Sequence, residues 1–240
     1  SFKDKDLLKD MPVGMLDICG KPVLQRTIEN LNILGIQDIA VIVGYQGNKI
    51  FTEGIRKIEN PNYQKSGVMD SIMLAAEFLD GEKNLIIYSD ILFEKEIVEK
   101  ILKSDADIVL AIDGSYQKNK FPKKNLDLVM AKYPPIRGER VINVRQSNQI
   151  LRIGKEIPRE QVNYEFIGIT MVSKRGAEKM KAEYQKLKEK RGTDSKIGLI
   201  DLMQEVINSG FLVEAVEVNG GWTEIKNFDD YRRAYKFFSN

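Results

Sequence analysis

The sequence predicts an α/β fold whose central sheet is mostly parallel. Apolar runs of strand length occupy residues 38–45, 84–90 and 106–113 in the first half of the chain. Apolar residues recur at helical spacing between and before them, as from Pro22 to Leu34, where Gly35 predicts the helix end. A helix between successive buried strands implies right-handed crossovers and a parallel sheet.

The second half of the chain predicts a mixed or antiparallel extension of that sheet. Its apolar runs are shorter, with few helical segments between them: "NLDLVMAKY", "RVINVR", "QILRIG" and "YEFIGITMV". Helical spacing returns at 174–190 and 199–208, followed by a strand at 211–218 and a closing helix capped by Asn227. The 240 residues, without repeats or a low-complexity linker, are expected to form one domain.

Composition excludes several kinds of chemistry. The chain has no histidine and a single cysteine, which excludes histidine triads, histidine metal ligands, zinc-binding cysteine clusters and internal disulfides. Its 37 basic and 35 acidic side chains nearly balance, so no nucleic-acid or membrane partner is indicated. Since no secretion signal or membrane span is recognisable, we expect the protein in the cytoplasm.

Polar residues at strand ends are the first candidates for a site, because ligands of open α/β sheets bind beyond the carboxyl ends of the strands. They are Gly44, Tyr45, Ser89, Asp90 and Asp113. Asp90 directly follows the apolar run "LIIY", where a carboxylate can hold Mg²⁺ against a polyphosphate. The alternative is that Asp90 caps a helix beginning near Phe93.

An ordered set of segments resembles one protein family: "MLDICGKPVLQRTIENLNILGIQDIAVIVGY", "NPNYQKSGVMDSIMLAAEFL", "IIYSDILFEKEIVEKIL", "YEFIGITMVSKRGAEKM" and "GGWTEIKNFDDYRRA". The family comprises nucleotidyltransferases that activate sugar phosphates and small phospho-alcohols. Within it the chain is most similar to cytidylyltransferases acting on phosphocholine, and to those associated with phosphoenolpyruvate mutase in phosphonate pathways. The resemblance implies a Rossmann-like, GT-A-like three-layer sandwich, with a nucleotide-binding half at 1–113 and an acceptor-binding half at 114–240.

The resemblance assigns the turn at Gly20, Lys21 and Pro22 to the triphosphate. Glycine lets backbone amides approach phosphate closely, and a helix N-terminus favours anions. Lys21 is the candidate catalytic cation there. The alternative is that these residues are a plain helix start.

The resemblance assigns the segment "SGVMDS" to the base and sugar pocket of CTP. The residues that match are Ser66, Gly67 and Ser71. The alternative is an ordinary helix N-cap formed by Ser66 or Asp70.

Four residues are candidates for the acceptor: Asp113, Glu165, Gly168 and Trp222. A cationic amine could stack on Trp222, with a gain of about 0.5 to 2 kcal/mol, and Asp113 and Glu165 could pair with the same amine. The alternatives are that Trp222 packs over the end of the sheet and that Asp113 is only a turn residue.

The chain departs from the family pattern at the phosphate-binding loop. The family begins with an apolar strand and a glycine-rich loop, whereas this sequence has no glycine before Gly14; either the recorded sequence has lost that strand or the protein lacks the loop. Val13 replaces the lysine of the family's Pro-Lys segment, a type of loss that costs on the order of 10² to 10³ in rate. Candidate replacements are Lys3, Lys5, Lys9 and Lys21.

A further departure concerns the metal. The family's second metal-holding aspartate ends a Trp-x-Glu-Ile-Asp pattern, in which this chain has Lys226. Candidates for the missing carboxylate are Glu224, Asp229 and Asp230, of which Asp230 is better explained as a helix N-terminal residue. We expect Mg²⁺ at Asp90 and Glu224.

The resemblance implies transfer of CMP from CTP to a small phosphate or phosphonate, such as phosphocholine or 2-aminoethylphosphonate. An acceptor oxygen attacks the α-phosphorus of CTP and pyrophosphate leaves, with Mg²⁺ neutralising charge. Val13 and Lys226 favour one alternative, a degenerate relative that binds a nucleotide or a partner subunit without turnover. A dehydrogenase-like binder is disfavoured because no G-x-G-x-x-G follows a strand. A homodimer through the second-half strands is a further hypothesis.

Overall fold

The computed structural model describes residues 11–115, 126–135 and 147–239. Its strands are β1 (Asp17–Ile18), β2 (Lys21–Pro22), β3 (Ala40–Val43), β4 (Arg56–Glu59), β5 (Asn84–Ile87), β6 (Ile91–Phe93), β7 (Ile108–Asp113), β8 (Leu128–Ala131), β9 (Asn148–Gly154), β10 (Tyr164–Val172), β11 (Glu214–Val218) and β12 (Trp222–Glu224). Its helices are α1 (Val23–Ile33), α2 (Val68–Leu74), α3 (Lys95–Leu102), α4 (Lys174–Arg191), α5 (Leu199–Asn208) and α6 (Phe228–Phe238).

A six-stranded sheet forms the centre, in the order β5-β10-β7-β11-β9-β8. Strands β5, β7, β8 and β11 point one way, because β10 pairs antiparallel with β5, β7 and β8 while β11 pairs parallel with β7. Strand β9 runs with β10 against this direction. The strands predicted at 84–90 and 106–113 therefore share a direction, but β10 from the second half lies between them.

Strand β7 is the middle of a three-layer arrangement and is buried along its whole length. Ile108, Leu110 and Ile112 belong to an apolar cluster shared with α2, α4 and α5. Val109 and Ala111 belong to another, shared with α1 and α3. Alternation along a strand places these two sets on opposite faces, which confirms the predicted three-layer α/β sandwich. Among the described strands of its central sheet only β7 and β11 pair in parallel, because β10 inserts between β5 and β7.

Capping residues mark the starts of α4 and α6 and the end of α1. The Asn227 side chain accepts from the Asp230 N–H at 3.0 Å at the start of α6, and Ser173 accepts from the Gly176 N–H at 3.0 Å at the start of α4. Gly35, with φ of +80°, follows the end of α1. The predicted cap at Asn227 and the predicted stop at Gly35 are confirmed.

The helix expected near Phe93 is α3, which begins at Lys95 with Glu94 at its N-cap position, while residues 91–93 form the buried strand β6. The alternative role of Asp90 as the cap of that helix is therefore wrong. One other local prediction is also wrong. The run at 38–45 is not buried on both faces, since Ala40–Val43 is mostly half-buried and, among the described strands, pairs only with β4.

Some predictions fall on residues outside the described ranges. They are the strand in "RVINVR" and the candidate cations Lys3, Lys5 and Lys9. The division into halves at residue 113 remains a prediction. Within the described ranges, every helix is too short or too polar to cross a lipid bilayer.

Candidate active site

Two carboxylates meet where the short β6–β12 ladder joins the edge of the sheet. Asp90 lies between β5 and β6, and Glu224 ends β12. The antiparallel register places Glu224 opposite Ile91, and the Ile225 N–H donates to the Asp90 carbonyl at 2.8 Å. Backbone pairing therefore brings the two carboxylates together from opposite ends of the chain.

The Asp90 carboxylate has an oxygen that no protein donor contacts. Its Oδ1 is buried and accepts no hydrogen bond from any residue in the described part of the chain. Burial raises the pKa of Asp90 above its ordinary value, and the charge of Glu224 raises it further, while Lys226 acts in the opposite direction. A buried acceptor without a donor is rare in folded proteins, and it marks Asp90 as a place for a ligand or a cation.

Asp127 is a third carboxylate of this region, which the sequence did not single out. It directly precedes β8, and its carbonyl accepts from the Phe166 N–H at 2.8 Å. Burial raises the pKa of Asp127, although Lys226 and Lys155 oppose that effect. We call Asp90, Asp127 and Glu224 the acidic cluster.

Lys226 lies within reach of the acidic cluster. Its Nζ is 2.7 Å from Glu224 Oε1, and the side chains of Lys226 and Glu224 are 43% and 13% exposed. Burial alone would lower the pKa of Lys226, but the hydrogen bond to Glu224 and the charges of the whole cluster raise it. The ammonium group therefore remains charged at neutral pH and faces solvent on one side.

Tyr88 is a second residue that the sequence missed. Its N–H donates to the Gly168 carbonyl at 3.0 Å, and its ring meets Phe166 edge-on at 6.0 Å. Gly168 has a φ of +88°, and a Cβ there would lie 3.1 Å from Tyr88 Cδ2. Burial raises the pKa of Tyr88, and the charges of the acidic cluster add to that effect, so the phenol is neutral and its ring is held by Gly168.

A cavity of about 630 Å³ opens beside Tyr88 and Asp127. Its other walls are residues 152–157, from β9 and the loop after it, Arg191 at the end of α4, and one side of α5 along its whole length. Charged side chains of both signs line it: Arg152, Lys155 and Arg191 against Asp127, Glu156, Asp201 and Glu205. The volume suits a small organic ligand, and the mixed charges suit a ligand that carries both signs.

The residues present fit Mg²⁺ through Asp90. Protein sites for Mg²⁺ usually offer one or two carboxylates and leave the other positions to water and substrate phosphates. Asp90 Oδ1 is a free oxygen of this kind, whereas Glu224 Oε1 is already 2.7 Å from Lys226. Across the described ranges, no three acidic or cysteine side chains are placed to hold a metal together. The described site would therefore rely on the nucleotide for most ligands of the ion.

Asp113 and Trp222, both predicted for the acceptor, contact each other. Trp222 Nε1 donates to Asp113 Oδ2 at 2.7 Å, and the Ser115 N–H donates to Asp113 Oδ1 at 2.6 Å. Asp113 is 3% exposed, as is Glu165, which lies opposite it in the β10–β7 register. The described wall of the cavity includes neither carboxylate nor Trp222. Their roles toward an acceptor stay predictions, and the geometry shows Asp113 positioning Trp222.

Comparison with known proteins decides the family. The MobA-like NTP transferase domain matches residues 12–147, more than half of the chain. The chain belongs to this family. The nucleotidyltransferase resemblance predicted from the sequence is thereby confirmed, and the protein is a transferase with cytidylyltransferase relatives.

Relatives of this MobA-like transferase extend over nearly the whole chain. CTP:phosphoglutamine cytidylyltransferase of Campylobacter jejuni is 24% identical over 240 residues, covering 93% of this chain and 91% of its own length. Two other curated relatives are longer bifunctional proteins, of which the chain covers 24% and 51%.

Solved structures show the same fold. The inositol-1-phosphate CTP transferase of T. maritima superposes with a TM-score of 0.73 at 20% identity, over 98% of this chain and 89% of that one. The CTP:phosphocholine cytidylyltransferase of Streptococcus pneumoniae gives 0.63 at 17% identity, over 99% and 94%.

In this MobA-like transferase, the turn predicted to wrap the triphosphate is the tip of the β1–β2 hairpin. Cys19 and Gly20 have φ of +51° and +83°, as a two-residue type I′ turn requires. The Gly20 N–H donates to Asp17 Oδ1 at 2.9 Å, and Lys21 Nζ pairs with Glu29 at 2.8 Å on the exposed side of α1. Helix α1 starts only after Pro22, and a phosphate-binding role for Gly20 and Lys21 stays a prediction.

The residues predicted for the base and sugar pocket are organised by Asn60, which the sequence did not indicate. Asn60 is 4% exposed, and its Nδ2 donates to both Ser66 Oγ and Ser71 Oγ at 2.9 Å. Gly67 precedes α2, and a Cβ there would lie 2.4 Å from the Ile197 carbonyl oxygen. The three predicted residues thus lie together at the start of α2; their contact with a base stays a prediction.

The remaining strand-end candidates lie in two places. Gly44 makes room for Tyr63, since a Cβ would be 2.6 Å from Tyr63 Cβ, and the exposed Tyr45 stacks obliquely on the same ring at 6.4 Å. Ser89 is exposed, next to Asp90, and its carbonyl lies 3.6 Å from the place of a Cβ on Gly14. Their predicted contacts with a nucleotide are likewise untested.

Val13, which departs from the family pattern, is an apolar packing residue. It lies against a cluster that includes Leu92 of β6 and Ile225 after β12. Val13 therefore lies close to the edge of the sheet where Asp90 and Glu224 meet, which we call the rim, and the valine side chain contributes no charge there.

Proposed function

We propose that this MobA-like transferase is a cytidylyltransferase, which moves CMP from CTP to a small phosphate or phosphonate monoester and releases pyrophosphate. The activities of its relatives support this choice, because the Campylobacter jejuni, T. maritima and Streptococcus pneumoniae proteins all use CTP with small acceptors. A part of another relative, CMP-5'-(3-aminopropyl)phosphonate synthase of Streptomyces rubellomurinus, supports a phosphonate acceptor, with 26% identity over 98 residues.

One observation carries the proposal: Asp90, with its buried, donor-free Oδ1, interacts electrostatically with Asp127, which lines a cavity large enough for the acceptor. Tyr88, two residues before Asp90, lines that cavity, and Asp127 of the acidic cluster lines it too. A reaction between a nucleotide phosphate and a small acceptor needs two adjoining subsites of this kind.

The cavity favours an acceptor that carries both an anionic and a cationic group. Arg152 and Lys155 are exposed on one wall, and Asp201 and Glu205 lie on the α5 wall. An amino phosphonate or phosphocholine would place its phosphoryl group toward Arg152 and Lys155 and its amine toward Asp201 and Glu205 of α5. Trp222 and Glu165 remain alternative contacts for the amine.

The reaction needs positioning and charge neutralisation more than proton transfer. The acceptor oxygen is already anionic near neutral pH, and its in-line attack on the α-phosphorus expels pyrophosphate without a covalent enzyme intermediate. Bound Mg²⁺ would supply charge neutralisation at the phosphates, with Asp90 holding it and Glu224 adjacent. Tyr88, held by Gly168, would close the site against water at the join between the two subsites.

The test is pyrophosphate release in the presence of Mg²⁺ and CTP. The acceptor panel contains phosphocholine, 2-aminoethylphosphonate, phosphoglutamine and inositol 1-phosphate, with ATP, GTP and UTP in separate reactions for base preference. We expect release with CTP and at least one acceptor, slowed by a factor of at least about 10² in Asp90→Asn. A matched control is Asp105→Asn, because the Asp105 side chain is fully exposed.

Val13 and Lys226 favour one other candidate, a nucleotide-binding relative without turnover. Neither residue offers the lysine or carboxylate that the resemblance implies at its position. Tight binding of CTP, with no pyrophosphate from any acceptor, would establish that candidate and refute the transferase. The proposal also includes a cytoplasmic location and a homodimer through the second-half strands, which fractionation and light scattering test.

A further inference from the structure

Lys226 is held in place by its backbone more firmly than a surface lysine usually is. Its N–H donates to Asp230 Oδ2 at 3.0 Å, and Asp230 is 5% exposed and is also paired with Arg233. The preceding Ile225 is fully buried and donates to the Asp90 carbonyl at 2.8 Å. The Cα of Lys226 is therefore fixed beside Asp90, and only its side chain can move.

The ammonium group is surrounded by negative charge yet accessible. Glu224, Asp127 and Asp90 all act on it, and the contact with Glu224 Oε1 is 2.7 Å. Glu224 is mostly buried while Lys226 is about two fifths exposed. The carboxylate thus anchors one side of the ammonium group, and the other side is open toward solvent at the rim that Asp90 occupies.

This arrangement differs from an ordinary surface ion pair. Pairs between two exposed side chains have weakly defined geometry and contribute little. Here the anionic partner is buried and the lysine's stem begins at a fixed backbone position. A cation presented in this way is pre-organised for an anion that approaches the rim from solvent.

We infer that Lys226 is a phosphate-binding residue of the nucleotide site, with Glu224 positioning its ammonium group, so that part of the affinity for CTP is independent of divalent metal. The inference rests on the proposed function, because it places the phosphates of CTP at the rim of the acidic cluster. In this arrangement Glu224 holds the ammonium group of Lys226, and Asp90 is the carboxylate that would bind Mg²⁺.

The experiment is a calorimetric titration, in which CTP is added to the full-length chain in the presence of EDTA. Lys226→Gln is expected to weaken metal-free CTP binding by about tenfold, the loss typical of one charged hydrogen bond. Lys226→Arg should retain affinity within a few fold, since it restores the charge. A matched control is Lys186→Gln on α4, because Lys186 also pairs with a buried glutamate, Glu183, at 2.9 Å.

The salt dependence of CTP affinity is a second measurement, and a purely structural role of Lys226 would not change it. The metal-free affinity of the unaltered protein should fall as salt rises, because charge attraction is screened. The affinity of Lys226→Gln should fall less steeply. Melting temperatures of all variants establish that they are folded.

Two results would overturn the inference. One is unchanged metal-free CTP binding in folded Lys226→Gln. The other is tighter CTP binding by that variant when Mg²⁺ is present, which would mean that Lys226 blocks a metal ligand. Failure of the proposed function is distinguishable: no pyrophosphate from any acceptor, with Lys226→Gln still weakening CTP binding, would refute the transferase and keep the phosphate contact.

Discussion

Two aspartates near the candidate site, Asp70 and Asp90, show how differently one side chain can be used. Asp70 Oδ1 is 2.7 Å from Lys188 Nζ and accepts from the Tyr184 hydroxyl at 2.5 Å, while its Oδ2 accepts from the Gly67 N–H at 2.5 Å. Asp90 Oδ1, in contrast, is buried with no donor among the described residues.

The pKa values of the two aspartates shift in opposite directions for this reason. Burial acts to raise both, but the donors from Lys188, Tyr184 and Gly67 outweigh it and lower the pKa of Asp70. Burial and the charge of Glu224 prevail at Asp90 and raise it. The comparison teaches that Asp70 is used to hold the fold together, whereas Asp90 lacks the partner that would explain it as structure.

Of the substitutions proposed here, replacing the Asp90 carboxylate should have the largest effect, and the effect should be a loss of activity. Asp90→Asn removes the charge with little change in shape, so we expect the rate of pyrophosphate release to fall by about 10² to 10³ or more. The melting temperature should not fall, because burial and the charge of Glu224 disfavour the ionised carboxylate, and the amide oxygen of asparagine can still accept from the residue's own N–H. Steady-state kinetics and calorimetry measure the two. A folded Asp90→Asn variant with nearly normal turnover would remove Asp90 from the mechanism.

The equivalent change at Asp70 should instead reduce stability. Asp70→Asn weakens a charged network that joins α2 to α4, and we expect the free energy of unfolding to drop by about 2 kcal/mol in urea titrations at neutral pH. Asp80→Asn is the control, since Asp80 is 65% exposed and its contact with Lys181 is 3.6 Å; we expect a loss below about 0.5 kcal/mol there. Equal losses for both variants would contradict the assigned role of Asp70.

The stabilisation by Asp70 should depend on pH with a definite sign. Its folded pKa is lowered from the ordinary 3.8, so the folded state favours the charged form. The advantage of the unaltered protein over Asp70→Asn should therefore be complete above pH 3.8 and decline as pH falls through the lowered pKa. Urea titrations at neutral pH and at stepwise lower pH check this. An advantage that is constant with pH, or that grows in acid, would show that ionisation is not its source.

Replacing Gly168, which holds Tyr88 beside the candidate site, should have a smaller effect on activity than replacing Asp90. Gly168→Ala should cost about 1 kcal/mol for its positive φ, and more because the new Cβ would lie 3.1 Å from Tyr88 Cδ2. Gly210→Ala is matched, since its φ is +81° and a Cβ there meets nothing within 4 Å. We expect only Gly168→Ala to slow pyrophosphate release, by displacing Tyr88. The register of β10 against β7 shifts between Phe166 and Thr170, where Gly168 lies. Identical stability losses and unchanged rates in the two glycine variants would mean that Gly168 serves only this irregularity.

Local patterns were enough to predict much of the fold. The spacing of apolar residues predicted α5 at 199–208 and β10 at 164–172 with the limits that the structure has. Local patterns could not show that β10 inserts between β5 and β7, because the pairing of distant strands depends on tertiary packing. The short strand β6 was missed for the same reason: three consecutive buried residues, Ile91 to Phe93, suit a strand once β12 is available as a partner.

The candidate site was predictable only where a residue type was unusual for its element. Asp90 stood out as a carboxylate directly after an apolar strand. Asp127 had the same kind of signal, an aspartate inside the apolar run "LDLVMA", where aspartate is disfavoured. Asn60 and the cavity beside Tyr88 carried no local signal, because they arise from segments that meet only in the folded chain.

The central claim is that the phosphates of CTP and a divalent ion meet at Asp90. A crystal structure with CTP and Mn²⁺, an anomalous scatterer that shares the oxygen ligands of Mg²⁺, tests it most directly. We expect an anomalous peak at coordination distance from Asp90 Oδ1, with the phosphate chain beside it. A peak at another group of carboxylates, or CTP bound away from this rim, would contradict it.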